Sequence, residues 1–101
     1  MKTMPTEFTK YGAQFRLMKR EGLVCLYSRE AYGETDYEIV IAQVAAKDWI
    51  QNGAVIVEQG SESYPNAEQW GAKGWSYSSE CLENAEKRFA EQVKQAKLTS
   101  V

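Results

Sequence analysis

Two periods run through this chain. Phe15, Leu17, Val24 and Leu26 recur at strand spacing, and Leu82, Ala85, Phe89, Val93 and Ala96 recur at helical spacing. The first set predicts a β-hairpin, with strands over 13–20 and 23–29 and a turn at Glu21-Gly22. That turn places Arg20 opposite Leu23, Lys19 opposite Val24, Met18 opposite Cys25 and Leu17 opposite Leu26. Phe15, Leu17, Val24 and Leu26 then share the core face. Arg16, Met18, Arg20, Leu23, Cys25 and Tyr27 share the other, which mixes apolar and basic groups.

Downstream, Ala31–Asp36 reads as a loop. Tyr37–Val44 is rich in β-branched residues and apolar on both parities, the pattern of an interior strand. Ala45–Gly53 reads as a connection ending in the turn signal Asn52-Gly53, and Ala54–Glu58 as a further short strand. One helical turn is predicted within Pro65–Gly71, with Asn66 as its cap and Gly71 as its stop. Trp75–Tyr77 reads as a last strand with both rings on one side. A helix over 79–97, capped by Ser78 or Ser79, lays its narrow apolar stripe on the sheet. The N-terminal residues 1–11 show no sustained period and read as a loose arm that Phe8 or Tyr11 pins. The expected class is α+β: one domain over 1–101, an antiparallel four- to five-stranded sheet with one C-terminal helix packed on one face.

Composition narrows the chemistry. Histidine is absent from the 101 residues, so neither a Ser-His nor a Cys-His nucleophile pair can be built from this chain alone. Two cysteines, Cys25 and Cys81, cannot supply an all-thiolate zinc site. They read as free thiols in a reducing compartment, and Cys81 at a helix start is the more reactive candidate. No metal and no cofactor is implied. The apolar runs Leu23–Tyr27 and Ile39–Ala42 are far short of the roughly 20 residues of a membrane span. The N-terminus has no apolar leader segment, so a cytoplasmic location is expected. The net charge of −2 hides an asymmetry: residues 1–30 carry six basic against three acidic groups, and 31–101 carry six against eleven. Asp36 and Glu38 share a strand face, where carboxylate pairs usually solubilise an edge.

The segment Tyr64–Tyr77, Y-P-N-A-E-Q-W-G-A-K-G-W-S-Y, is the most distinctive. Its W-G-x-x-G core at Trp70, Gly71 and Gly74 resembles the WGR domain, a small DNA-end-binding module. Ala72 stands where that family carries a phosphate-facing arginine. In wider layout the chain resembles small uncharacterised proteins of bacteriophages and prophages. The likeness rests on Arg20–Tyr27 (R-E-G-L-V-C-L-Y), the Y-E-I-V strand at Tyr37–Val40, the aromatic segment, and the A-x-x-x-F helix at Ala85–Phe89. That resemblance implies an origin and a fold, and no known activity.

The expected function is therefore a non-catalytic protein-interaction or accessory protein of phage or mobile-element type, with an unidentified protein partner. Its alternative is a nucleic-acid-binding module using the basic hairpin and the Trp70 loop. The candidate surface comprises Tyr64, Trp70 and Lys73 with Arg16, Lys19 and Arg20. For the two tryptophans and Tyr77 the structural alternative stays open: Trp75 and Tyr77 as core, and Trp70 packed over Gly71 and the helix. A homodimer through an exposed strand edge fits either function.

Overall fold

Hairpin turns organise the first half of the chain in the computed structural model, which describes residues 3–65 and 67–99. Strand β1 is Glu7–Lys10, β2 Ala13–Glu21, β3 Val24–Ala31 and β4 Glu34–Ile41. Two of their connections, Tyr11-Gly12 and Tyr32-Gly33, place both turn residues at positive φ. This backbone twist matches that of the flanking strands and makes a two-residue loop close without splaying them. The expected loop over Ala31–Asp36 is thus reduced to two residues.

The turn between β2 and β3 corrects the expected register. Only Gly22 has positive φ there, at 59°. A turn with that requirement at its first central position has Gly22-Leu23 as its loop, not Glu21-Gly22. Glu21 therefore faces Val24, Arg20 faces Cys25 and Lys19 faces Leu26; beyond a bulge at Met18, Leu17 faces Tyr27 rather than Leu26. The moved turn alone keeps Lys19, Val24 and Leu26 on one face; the extra residue at the Met18 bulge then puts Phe15 and Leu17 with Cys25 and Tyr27, on the side of the sheet opposite Val24 and Leu26.

Shorter pieces follow: β5 (Gln43–Val44), β6 (Trp49–Gln51), β7 (Ala54–Val57), β8 (Glu62–Ser63) and β9 (Gly74–Tyr77). The main sheet is antiparallel and five-stranded, in the order β1-β2-β3-β4-β9. Strand β5 pairs with β8, and β6 pairs with β7, each as a separate ribbon. The strand expected over Ala54–Glu58 is present but does not join the main sheet.

Helix α1 (Leu82–Thr99) follows a tight turn at Ser79–Cys81 and crosses β3, β4 and β9. Ser78 makes no side-chain capping bond. Under the helix lie Val24, Leu26 and Ile39, closed by Ala85 and Val93 and flanked by Phe89, Trp75 and Tyr77. This is the predicted packing of one helical stripe on the sheet. Burial of each large aliphatic side chain here contributes roughly 1.5–3 kcal/mol before entropy is counted.

The opposite face is also covered. Phe15, Cys25, Tyr27, Val40 and Ala42 are buried there, beneath Met4, Phe8 and Tyr64. The expected loose arm is in fact an edge strand. Phe8 stacks on Phe15 with ring centroids 4.6 Å apart, and Tyr27 donates to the Pro5 carbonyl at 2.7 Å. The Met4 amide donates to Glu62 at 2.9 Å. Tyr11 stays at the surface. The molecule is extended, with a radius of gyration of 14.6 Å against about 13 Å for a compact chain of this length. No helix among the described residues is long and apolar enough to cross a membrane.

Candidate functional site

The six residues singled out from the sequence do not form one surface. Tyr64 and Trp70 come together, stacked with ring centroids 6.2 Å apart. A tight turn at Ala67–Gln69 positions them, and Gly71, at φ 92°, ends it as expected. The capping role expected of Asn66 lies outside the described residues. Gly74 has no Cβ, and that space is taken by the Trp70 ring. A Cβ there would lie 2.5 and 2.6 Å from two indole carbons. Trp70 therefore packs over Gly74 on the face away from the helix, rather than over Gly71 and the helix. It keeps 38% of its surface exposed.

Tyr64 is an internal residue. Its ring contacts Phe8, Phe15 and Tyr27 edge-on or tilted. Its hydroxyl donates to Glu38 at 2.9 Å. Glu38 is 8% exposed. Burial raises its carboxyl above the ordinary glutamate value, while the Tyr64 hydrogen bond and the nearby Arg29 and Lys10 oppose the rise. Burial also raises the Tyr64 hydroxyl, and the Glu38 charge adds to this. The Asp36–Glu38 pair is divided: Arg29 holds Asp36 at 3.3 Å, and Tyr64 holds Glu38.

Each basic residue of the hairpin faces a carboxylate. Arg16 lies 3.8 Å from Glu7, and Lys19 3.2 Å from Glu86 on α1. Arg20 makes a two-pronged pair with Glu62 at 2.7 and 2.5 Å. The Arg20 bond holds the Glu62 carboxyl below the usual range, and the Met4 amide helps. These pairings cancel much of the positive field that a phosphate backbone would need. Lys73 is apart from all of these, in a groove between the β2–β3 turn and the end of α1.

The cysteines are free and lie apart. Cys25 is buried in the sheet, and burial pushes its thiol up to about 11. Cys81 is half-buried in the turn before α1. Among the described residues no group of three or more Cys, Asp or Glu side chains is placed to hold a metal ion.

The surface that sequence reasoning missed is the ribbon β6–β7. Its loop, Asn52-Gly53, has both residues at positive φ. Ile50 faces Val55 and Trp49 faces Val57, with a bulge between these pairs. Neighbouring strand residues point to opposite faces, so both faces of the ribbon are apolar. Trp49, Ile50, Val55, Ile56 and Val57 are 63%, 62%, 51%, 53% and 41% exposed. Summed over the two faces of the ribbon they leave on the order of 500 Å² of apolar surface, comparable to the largest patch a typical monomer exposes. At the base of this arm is a notch of about 380 Å³, walled by Val55, Ile56 and Val57 on one side and by Val44, Ala45 and Ser63 on the other. The available sequence signal was the uncharged run W-I-Q-N-G-A-V-I-V, apolar on both parities around an N-G turn.

No family model, curated protein or solved structure matches this chain.

Proposed function

We propose that this chain is a small non-catalytic protein-interaction protein, an accessory factor of phage or mobile-element type, and that its contact element is the arm Trp49–Val57. The observation that carries the reading is the arm's exposure. A lone two-stranded hairpin is marginally stable in water, and this one has apolar side chains on both faces and, among the described residues, no strand paired to either outer edge. An element of this kind gains its stability when a protein surface covers it.

Further support comes from the polar residues with chemical potential. Glu38, Tyr64, Arg20 and Glu62 are engaged with each other across the core and the N-terminal strand. Their arrangement serves folding. The phage-type origin is supported by the motif resemblance alone.

The test is site-specific photocrosslinking in bacterial cells. A crosslinking residue replaces Ile56 on the arm, or Lys87 on the exposed face of α1 as a control. Protein adducts at 56 that are absent at 87 are expected. A chain that forms no protein adduct at 56 would overturn the reading.

A further inference from the structure

We propose that the arm's partner is a second copy of this chain, related by a two-fold axis, with each arm lying in the notch at the base of the other. The proposal rests on the reading of the arm as a contact element and names its partner.

Self-complementarity is the first argument. A two-fold interface needs the same patch on both subunits, so that what projects from one finds its recess on the other. Here a projecting apolar element lies beside a recess of mixed lining, Val44, Ala45 and the arm's own valines together with Gln43, Glu58, Ser61 and Glu62. One rotation can satisfy both at once. An arm serving only a foreign protein has no need of a matching recess beside it.

Area is the second argument. A standard interface buries about 800 Å² per partner. The arm's exposed side chains supply on the order of 500 Å². The exposed Val44 and the strand backbone at the ribbon's edges add to that area. Among the described residues no strand pairs with the outer edges of β6 and β7. Antiparallel pairing of two such edges converts exposed amides and carbonyls into a ladder.

Charge is the third. No residue from Trp49 to Val57 is ionisable, so an arm brings no charge of its own to the notch, where of the two carboxylates Glu62 is already paired with Arg20. Asp48 and Glu58 flank the arm in sequence, next to Lys47. That acidic flank opposes an anionic lipid surface or a nucleic acid.

The experiment is sedimentation equilibrium of the purified 101-residue chain from micromolar to millimolar concentration, with and without added salt. The expected species has twice the 11.5 kDa chain mass. Its association should hold or tighten as salt rises. Ile56→Glu should weaken the dimer by at least about 30-fold, the loss that marks a hot-spot side chain at the centre of an interface. Its circular dichroism should be unchanged, because the arm lies outside both cores. As a check independent of that variant's folding, isotopically labelled and unlabelled copies are mixed with the crosslinker at Ile56. Mixed labelled–unlabelled crosslinks joining position 56 of one copy to the 43–63 region of the other are expected.

A monomer throughout the concentration range overturns the second-copy proposal. If the cellular crosslinks at 56 persist with another protein, the interaction reading survives and only its partner changes. Binding to phosphatidylcholine or phosphatidylglycerol vesicles through the arm, with no protein adducts, overturns both.

Discussion

Tyr64→Phe removes one oxygen and tests the logic of the face opposite the helix. The hydroxyl donates to Glu38, a carboxylate with 8% of its surface exposed. A hydrogen bond to a charged group contributes about 1.5–3 kcal/mol, and one between neutral groups about 0.5–1.5. The cost of the substitution should therefore depend on whether Glu38 is ionised. Burial raises the Glu38 carboxyl in the folded state, so its ionisation opposes folding. Wild-type stability from this group is greatest below the unfolded glutamate value and declines as pH rises through the folded one. The Tyr64 bond limits that decline by favouring the ionised form. Without it, the Glu38 carboxyl should titrate higher still. Near neutral pH a loss of about 2 kcal/mol lowers Tm by about 10 °C for a chain of this size. Below the folded carboxyl value the loss should fall toward about 1 kcal/mol. Thermal unfolding followed by circular dichroism at both conditions measures the difference, and carbon NMR of the Glu38 carboxyl follows its titration. Tyr27→Phe is the control, since its hydroxyl meets the neutral Pro5 carbonyl and burial pushes it up to about 12, so it stays protonated. Equal Tm losses for Tyr64→Phe at both pH values, with an unmoved Glu38 titration, would refute the argument.

Two further substitutions probe neighbouring contacts. Gly74→Ala places a methyl inside contact distance of the Trp70 ring and should cost about 1–3 kcal/mol. In the Trp70→Ala background the same change should cost much less, and additive losses in a urea-unfolding cycle would show that the ring does not occupy that space. Arg20→Ala deprives the largely buried Glu62 of its two-pronged partner and should cost on the order of 1–3 kcal/mol near neutral pH. Because Arg20 lowers the Glu62 carboxyl, that contribution is present above the unfolded glutamate value and lost as pH falls through the folded one. Variant and wild type should converge in acid, and a gap that persists there would locate the effect elsewhere.

The class of the fold was legible because both of its periods are local. Five apolar positions at helical spacing dictate a helix with one sticky stripe, and Val24, Leu26 and Ile39 supply the pleated surface that receives it. The aromatic segment was legible as a structural keystone, though not in its direction: Trp70 fills the space over Gly74, a contact set by the absence of a side chain. The candidate site was largely illegible. Arg20 meets Glu62 across 42 positions and Tyr64 meets Glu38 across 26. Charge patterning along the chain showed unpaired basic residues where the folded molecule has ion pairs.

Sequence by itself determined what is local: the strand and helix periods, the glycines at tight turns, and the residue types from which any chemistry must be built. Tertiary structure alone decided which face each strand residue occupies, because the bulge at Met18 inserts one residue between the turn and Leu17 and so exchanges the faces of Phe15 and Leu17 relative to Val24 and Leu26. It also decided that the N-terminal segment is an edge strand and that the Trp49–Val57 ribbon stands outside the sheet. An apolar run has the same composition in a core and on a projecting arm. The difference is whether the rest of the chain folds back to cover it, and that depends on contacts between residues far apart in sequence.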